Sequence, residues 1–87
     1  MEYKEIICDS IWEQTNKPEY QIGAFKFKSK HFELYILNGL NHNENGPAYI
    51  SYLHYYKNQI LREFYYLKGK FFKKEEWEKQ IQTKLYW

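Results

Sequence analysis

Between residues 20 and 72 apolar and polar positions alternate in short runs broken by turn residues, the pattern of strands with two differently solvated faces. In Gly23-Ala24-Phe25-Lys26-Phe27-Lys28 the period of two sends Phe25 and Phe27 to one face and Lys26 and Lys28 to the other. Ser29-Lys30-His31 interrupts the run before Phe32-Glu33-Leu34-Tyr35-Ile36, which predicts a hairpin. A second hairpin is predicted from Ile50 to Tyr56 and from Ile60 to Tyr66, two aromatic-rich segments joined by Lys57-Asn58-Gln59. The spacing changes near the end of the chain. Trp77, Ile81 and Leu85 recur at i, i+4 and i+8 behind Lys73-Lys74-Glu75-Glu76, with acids in the first turn and Glu75 spaced for an ion pair with Lys79. That segment is an amphipathic helix with a poor N-cap, Lys73. Residues 3–12 fit either a helical stripe (Tyr3, Ile7, Ile11) or a strand around Ile6-Ile7, and the strand is preferred. Residues 16–19 read as a loop in which Pro18 biases Lys17 to an extended form.

One segment is echoed. Glu33-Leu34-Tyr35-Ile36-Leu37-Asn38-Gly39 and Glu63-Phe64-Tyr65-Tyr66-Leu67-Lys68-Gly69 align without a gap. Each is an alternating strand ending in a pair that suits a tight turn, because glycine accepts positive φ. Two copies of one supersecondary unit account for the match. The expected architecture is therefore α+β: an antiparallel β-meander of stacked hairpins with one C-terminal amphipathic helix. One domain spans residues 1–87, with an N-terminal strand and loop to residue 19, the meander over 20–72 and the helix over 73–87.

Composition sharpens this picture. The chain has no Val, while Tyr 10, Phe 6 and Trp 3 bring aromatics to 22%. Rings must supply much of the buried area, and Tyr and Trp suit half-buried sheet faces because their polar ends need partners. Twelve Lys accompany one Arg, and Asn, Ile and Tyr are frequent. This bias toward residues with AT-rich codons points to a low-GC bacterium, a phage or a large virus. The net charge of +2 does not itself mark a nucleic-acid binder, although residues 45–87 hold eight basic residues against four acids. The acidic N-terminal segment lacks the charge and the length of apolar run that export or membrane insertion needs, so a cytoplasmic setting is expected.

The chemistry of catalysis is sparse. Cys8, the single cysteine, adjoins the single aspartate, Asp9, on the other strand face and has no histidine near it in sequence. An inert thiol is the expectation. His42 stands among Asn41, Asn43 and Glu44, without a second histidine or aspartate at metal-ligand spacing. It is read as a structural residue that hydrogen-bonds the turn completed by Gly46 and Pro47. His54 is read as a packed or surface ring and His31 as a turn residue. Gly23, Gly39, Gly46 and Gly69 are isolated, so no phosphate loop forms. No catalytic, cofactor or metal site is expected.

The run Leu37-Asn38-Gly39-Leu40-Asn41-His42-Asn43-Glu44-Asn45-Gly46-Pro47-Ala48 resembles the divergent MORN-like repeat, in which a strand and Asn-Gly are followed by His, a polar pair and Gly-Pro-Ala before the next strand. The resemblance covers residues 33–77, counting the second strand with its Gly-Lys and the Lys-Glu-Glu-Trp helix entry. It departs from the family pattern at Leu40, Asn41 and Asn45, and the central turn lacks its glycine. The resemblance implies stacked hairpins and a non-enzymatic binding role, with Gly39, His42, Gly46, Pro47 and Gly69 as structural turn residues. Some bacterial members of that family are antitoxin-like.

A protein partner is the favoured expectation, since exposed Tyr and Trp on a rigid sheet make efficient hot spots. Tyr52, Tyr55, Tyr56, Tyr65, Lys57, Arg62, Tyr86 and Trp87 are the candidate contact residues. The reading is a small inhibitor or antitoxin-like protein, phage-encoded or from a low-GC bacterium, directed at a bacterial defence factor. The rival is a single-stranded nucleic-acid binder stacking bases on Phe25, Tyr49, Tyr52, Tyr55, Tyr56, Tyr65 and Tyr66 beside Lys57, Arg62, Lys68 and Lys70. A third reading is a homo-oligomer formed through an unpaired sheet edge.

Overall fold

A computed structural model of the chain describes residues 2–53 and 59–83. Seven strands form one mixed, mostly antiparallel sheet: β1 (Lys4–Ile7), β2 (Ala24–Lys28), β3 (Phe32–Leu37), β4 (Leu40–Asn41), β5 (Tyr49–Tyr52), β6 (Ile60–Leu67) and β7 (Lys70–Phe72). Two helices accompany it, α1 (Ile11–Thr15) and α2 (Lys74–Thr83), with a 3₁₀ turn at Pro18–Tyr20. The spatial order is β1-β2-β3-β5-β6-β7, and β4 pairs with β3 beside β5. This is the expected meander and C-terminal helix, with one departure: β1 runs parallel to β2. A parallel pair needs a crossover, and residues 8–23 supply it through α1 and the 3₁₀ turn, so the strand preferred for residues 3–12 ends at Ile7 and helix begins at Ile11, and the loop read at 16–19 includes the start of the 3₁₀ turn.

The echoed segments occupy equivalent places. Asn38 and Gly39 have φ of 49° and 80°, and Lys68 and Gly69 have φ of 49° and 84°. Both pairs are two-residue turns with positive φ at each centre, the geometry that matches the twist of the flanking strands. A Cβ on Gly39 or Gly69 is strained by this conformation alone. It would also meet Gln21 Oε1 at 2.6 Å in the first case and Leu40 Cδ2 at 3.2 Å in the second. Gly46 differs, since its φ is not positive and the nearest atom to an added Cβ is Asn43 Nδ2 at 4.0 Å. Gly39→Ala and Gly69→Ala are each expected to cost about 1–2 kcal/mol in urea denaturation, with Gly46→Ala within about 0.5 kcal/mol of wild type. Equal effects at all three would mean that the two turns are not the strained elements.

Residues 43–47 leave the sheet between β4 and β5. Tyr35 on β3 holds both ends of the excursion, accepting from His42 N at 3.1 Å and donating to Ala48 O at 2.7 Å. On the other side Asn43 N and Ala48 N donate to Tyr66 O and Phe64 O of β6. Asn43 organises the loop itself: its Nδ2 donates to Pro47 O at 3.0 Å and its Oδ1 accepts from Asn45 N at 3.0 Å. Asn43 thus closes the turn near Gly46 and Pro47, while His42, expected to bond that turn, reaches the excursion through Glu44.

His42 also ties one hairpin to the next. Its fully buried ring accepts at Nδ1 from the backbone N–H of Lys68, at 2.8 Å. A peptide N–H can only donate, so Nδ1 is the bare nitrogen and the proton sits on Nε2, which donates to Glu44 Oε1 at 3.1 Å. The His42 carbonyl accepts from Tyr3 Oη at 2.8 Å, and Gly69 N donates to Asn41 O at 2.8 Å. The second turn is therefore pinned at both central residues by the strand that follows the first.

Two apolar clusters lie on opposite faces of the sheet, at opposite ends. On one face Ile11 of α1 packs on Phe27, Leu34 and Ile36, with Ile6, Phe25 and Tyr20 around them. Tyr20 meets Phe25 and Phe27 edge-on, with centroids 5.1 and 5.0 Å apart. On the other face Trp77 of α2 packs on Tyr65, Leu67 and Phe72, with Ile81 alongside, and the Trp77 indole N–H donates to Asn43 O at 3.1 Å. Leu85 lies outside the described residues, and the Glu75–Lys79 ion pair is not among those that the described residues form.

Candidate functional site

Each helix covers only one end of one face, so each face keeps an open half. Strand alternation decides what the open halves carry. Beyond β1–β2–β3, on the α2 side of the sheet, Glu5, Lys26, Lys28 and Glu33 make a charged ladder: Lys28 Nζ lies 3.1 Å from Glu5 Oε1 and 3.9 Å from Glu33 Oε1, and Lys26 Nζ 4.0 Å from Glu33 Oε1. Burial works to lower the Lys26 pKa, but its bond to Tyr35 and the charge of Glu33 outweigh that and raise it. This half is a charged, internally neutralised surface.

The open half on the α1 side is of another kind. Beyond α1, strands β5, β6 and β7 present Tyr49, which Trp12 of α1 partly overlaps, and then Phe64, Tyr66 and Phe71 on the same face. Their rings run on from Trp12 of α1: Trp12 stacks on Tyr49 at 5.9 Å, Tyr49 meets Phe64 at 5.6 Å, and Phe64 meets Phe71 at 6.2 Å. The result is a groove of about 580 Å³. Phe32, Tyr49, Phe64 and Tyr66 form its floor, Trp12 and Leu61 its rims, and the remaining lining comes from His31, Asn41, Ser51, Tyr52 and Arg62. Its volume falls in the range of about 300–1,000 Å³ typical of ligand sites.

A bulge shapes one rim. Ser51 pairs with Arg62 but Tyr52 pairs with Ile60, leaving Leu61 as the extra residue of β6. Such an irregularity bends the strand and brings both residues of the bulge toward one side. Leu61 and Arg62 accordingly both line the groove, and Leu61 is 57% exposed. Trp12, at 55%, is the other large exposed apolar side chain of the rim.

Of the contact residues expected from sequence, the structure brings Arg62 and Tyr52 to this groove and turns Tyr65 away from it. Tyr65 is 8% exposed and packs against Trp77 with centroids 4.9 Å apart, on the opposite face, because it precedes Tyr66 by one residue of a strand. Tyr52 reaches the groove's edge, but its hydroxyl donates to buried Glu33 Oε2 at 2.8 Å, which fixes the ring. Tyr55, Tyr56, Lys57, Tyr86 and Trp87 lie outside the described residues, as does His54. Trp12, Phe32, Leu61 and Phe64 were absent from the expected contact set. Trp12 alone carried a signal, a large ring beside Glu13 and Gln14 in a polar stretch. Phe25, offered as a stacking ring, lies with Phe27 beneath Tyr20, and Lys26 and Lys28 point to the other face toward acids.

Burial, with the charge of Asp9 second, pushes the Cys8 thiol pKa up, and its Sγ points at Lys28 O, 3.7 Å away. Among the described residues no three His, Cys, Asp or Glu side chains converge as metal ligands. Burial, followed by the bond to Glu33 and that residue's charge, pushes the Tyr52 phenol far above its usual range, and burial raises Tyr49 and Tyr65 as well. Above about pH 10 the unfolded chain releases protons that the folded one keeps. Stability is therefore full below that pH and lost as pH rises beyond it, by up to about 1.4 kcal/mol per pH unit for a phenol such as Tyr52. The urea midpoint should fall between pH 10 and 11.5, and less steeply in Tyr52→Phe. Parallel pH profiles would remove Tyr52 from the account.

The molecule is thus a small α+β domain that carries an aromatic groove on the half of the sheet beyond α1. Compared with protein-family models, curated proteins and solved structures, the chain matches none of them. No helix among the described residues is long and apolar enough to cross a membrane.

Proposed function

We propose that the protein is a non-catalytic protein-binding module that docks a partner in the aromatic groove. The observation that carries this reading is the open half-sheet of Tyr49, Phe64, Tyr66 and Phe71, extended by Trp12 and Leu61 at its rims. Exposing such rings is unfavourable unless something covers them, and rigid aromatics in a shaped recess are the residues that concentrate binding energy at protein interfaces. In this reading the sheet framework is a pair of MORN-like units. The domain acts in the cytoplasm of its producer or of an infected host as a small inhibitor or antitoxin-like protein, with a bacterial defence factor as its target.

Nucleic acid is the less favoured occupant, because stacking sites need a row of cations along the backbone path. Here Lys26 and Lys28 lie on the far face beside Glu5 and Glu33, and among the described residues Arg62 is the one Lys or Arg that lines the groove. Two measurements test the proposal together. A partner isolated from a low-GC bacterial extract should bind the wild type and lose about thirtyfold in affinity with Trp12→Ala, the equivalent of about 2 kcal/mol. Labelled oligo-dT titrated at two salt concentrations should show no micromolar binding. Salt-sensitive oligo-dT binding lost in Phe64→Ala would replace this reading with the nucleic-acid one.

A further inference from the structure

The charges around the groove narrow what it accepts, on the docking reading above. We infer that its occupant is an acidic peptide segment with an apolar or aromatic anchor: the anchor lies between Trp12 and Leu61, and a neighbouring carboxylate accepts from the Arg62 guanidinium. Three observations converge on this. First, among the described residues no carboxylate lines the groove. Period-two alternation sends Glu5, Glu33 and Glu63 to the other side of the sheet, since Glu33 pairs with Ile50 and Ile50 with Glu63, whereas the groove carries their neighbours Phe32, Phe64 and Arg62.

Second, Arg62 is exposed and forms no ion pair among the described residues, whereas Lys26 and Lys28 both face carboxylates. It is the chain's single arginine. A guanidinium offers a planar fork of donors that matches a carboxylate in two parallel hydrogen bonds, and it is less strongly hydrated than an ammonium. Third, the bulge sets Leu61 and Arg62 side by side on one rim, so an apolar contact and a cation are presented together. A basic segment would bring like charge against Arg62, which disfavours it.

A display library of random dodecapeptides, selected on the wild-type protein and counter-selected on Trp12→Ala, tests this without knowing the natural partner. Enriched sequences should carry Asp or Glu within three residues of a Trp, Phe or Leu. For the best peptide made in soluble form, exchanging that carboxylate for the amide should weaken Kd about tenfold on the wild type and leave it unchanged on Arg62→Gln. Leu61→Ser, checked for a native spectrum, serves as a second groove variant should Trp12→Ala perturb folding. Enriched peptides lacking acids, or a carboxylate exchange without effect, would overturn the inference while leaving the docking reading intact. A library that enriches equally on wild type and both groove variants would overturn both.

Discussion

His42→Ala is expected to unfold most of the protein at temperatures where the wild type is native. The ring is fully buried, and removing it leaves the Lys68 N–H without its 2.8 Å acceptor and the Glu44 carboxylate without its donor. Losing the two hydrogen bonds of the ring costs about 1–2 kcal/mol and the volume it vacates adds about 2–3 kcal/mol, for about 3–5 kcal/mol in all. The total stability of a domain this size is only on the order of 5–10 kcal/mol. The effect should also be specific to the acceptor. Asn at position 42 can present an oxygen near the place of Nδ1, so His42→Asn should recover about 1–2 kcal/mol relative to alanine. His31→Ala, in the partly buried β2–β3 turn, should cost under about 1 kcal/mol. Urea midpoints of the three variants check this, and equal losses at 31 and 42 would show that the link between hairpins carries little energy.

The two described tryptophans should behave in opposite ways. Trp77 is 9% exposed and fastens α2 to the sheet through Tyr65, Leu67 and Phe72, and to the loop through Asn43 O. Trp77→Ala is expected to cost about 3–5 kcal/mol, with Trp77→Phe restoring the packing but not the hydrogen bond, a difference of about 1–2 kcal/mol. Trp12→Ala removes a rim, and its stability cost should stay near 1 kcal/mol, since more than half of the side chain already faces water. Its effect belongs to binding. Chemical denaturation separates the two sites: a Trp12→Ala variant as unstable as Trp77→Ala would mean that Trp12 is a core residue and the groove a packing defect.

This contrast shows where residue type stops being informative. Tyr65 and Tyr66 are chemically identical neighbours, and one closes a core while the other floors a groove. Alternation alone says that they part company. It does not say which side is covered, because that depends on where α1 and α2 pack, and each packs at a different end of the sheet. The same holds for Tyr52, whose fixed ring follows from buried Glu33 on a neighbouring strand. Cys8 has no sequence neighbour that could activate it, and what the fold adds is its half-buried position, which raises the thiol pKa.

Local rules were legible where the cause is local. Asn38-Gly39 and Lys68-Gly69 define their turns because positive φ at two successive residues favours glycine at the second. The Phe25/Lys26 alternation gives its own sidedness, and the i, i+4 spacing of Trp77 and Ile81 gives the helix face that is buried. Tertiary structure decided the remainder. The parallel β1, the partner of His42 twenty-six residues away, the extra residue at Leu61 and the uncovered aromatic half-sheet all follow from contacts between distant segments. Backbone conformation responds to a residue and its neighbours, whereas burial responds to whatever part of the chain arrives on top of it.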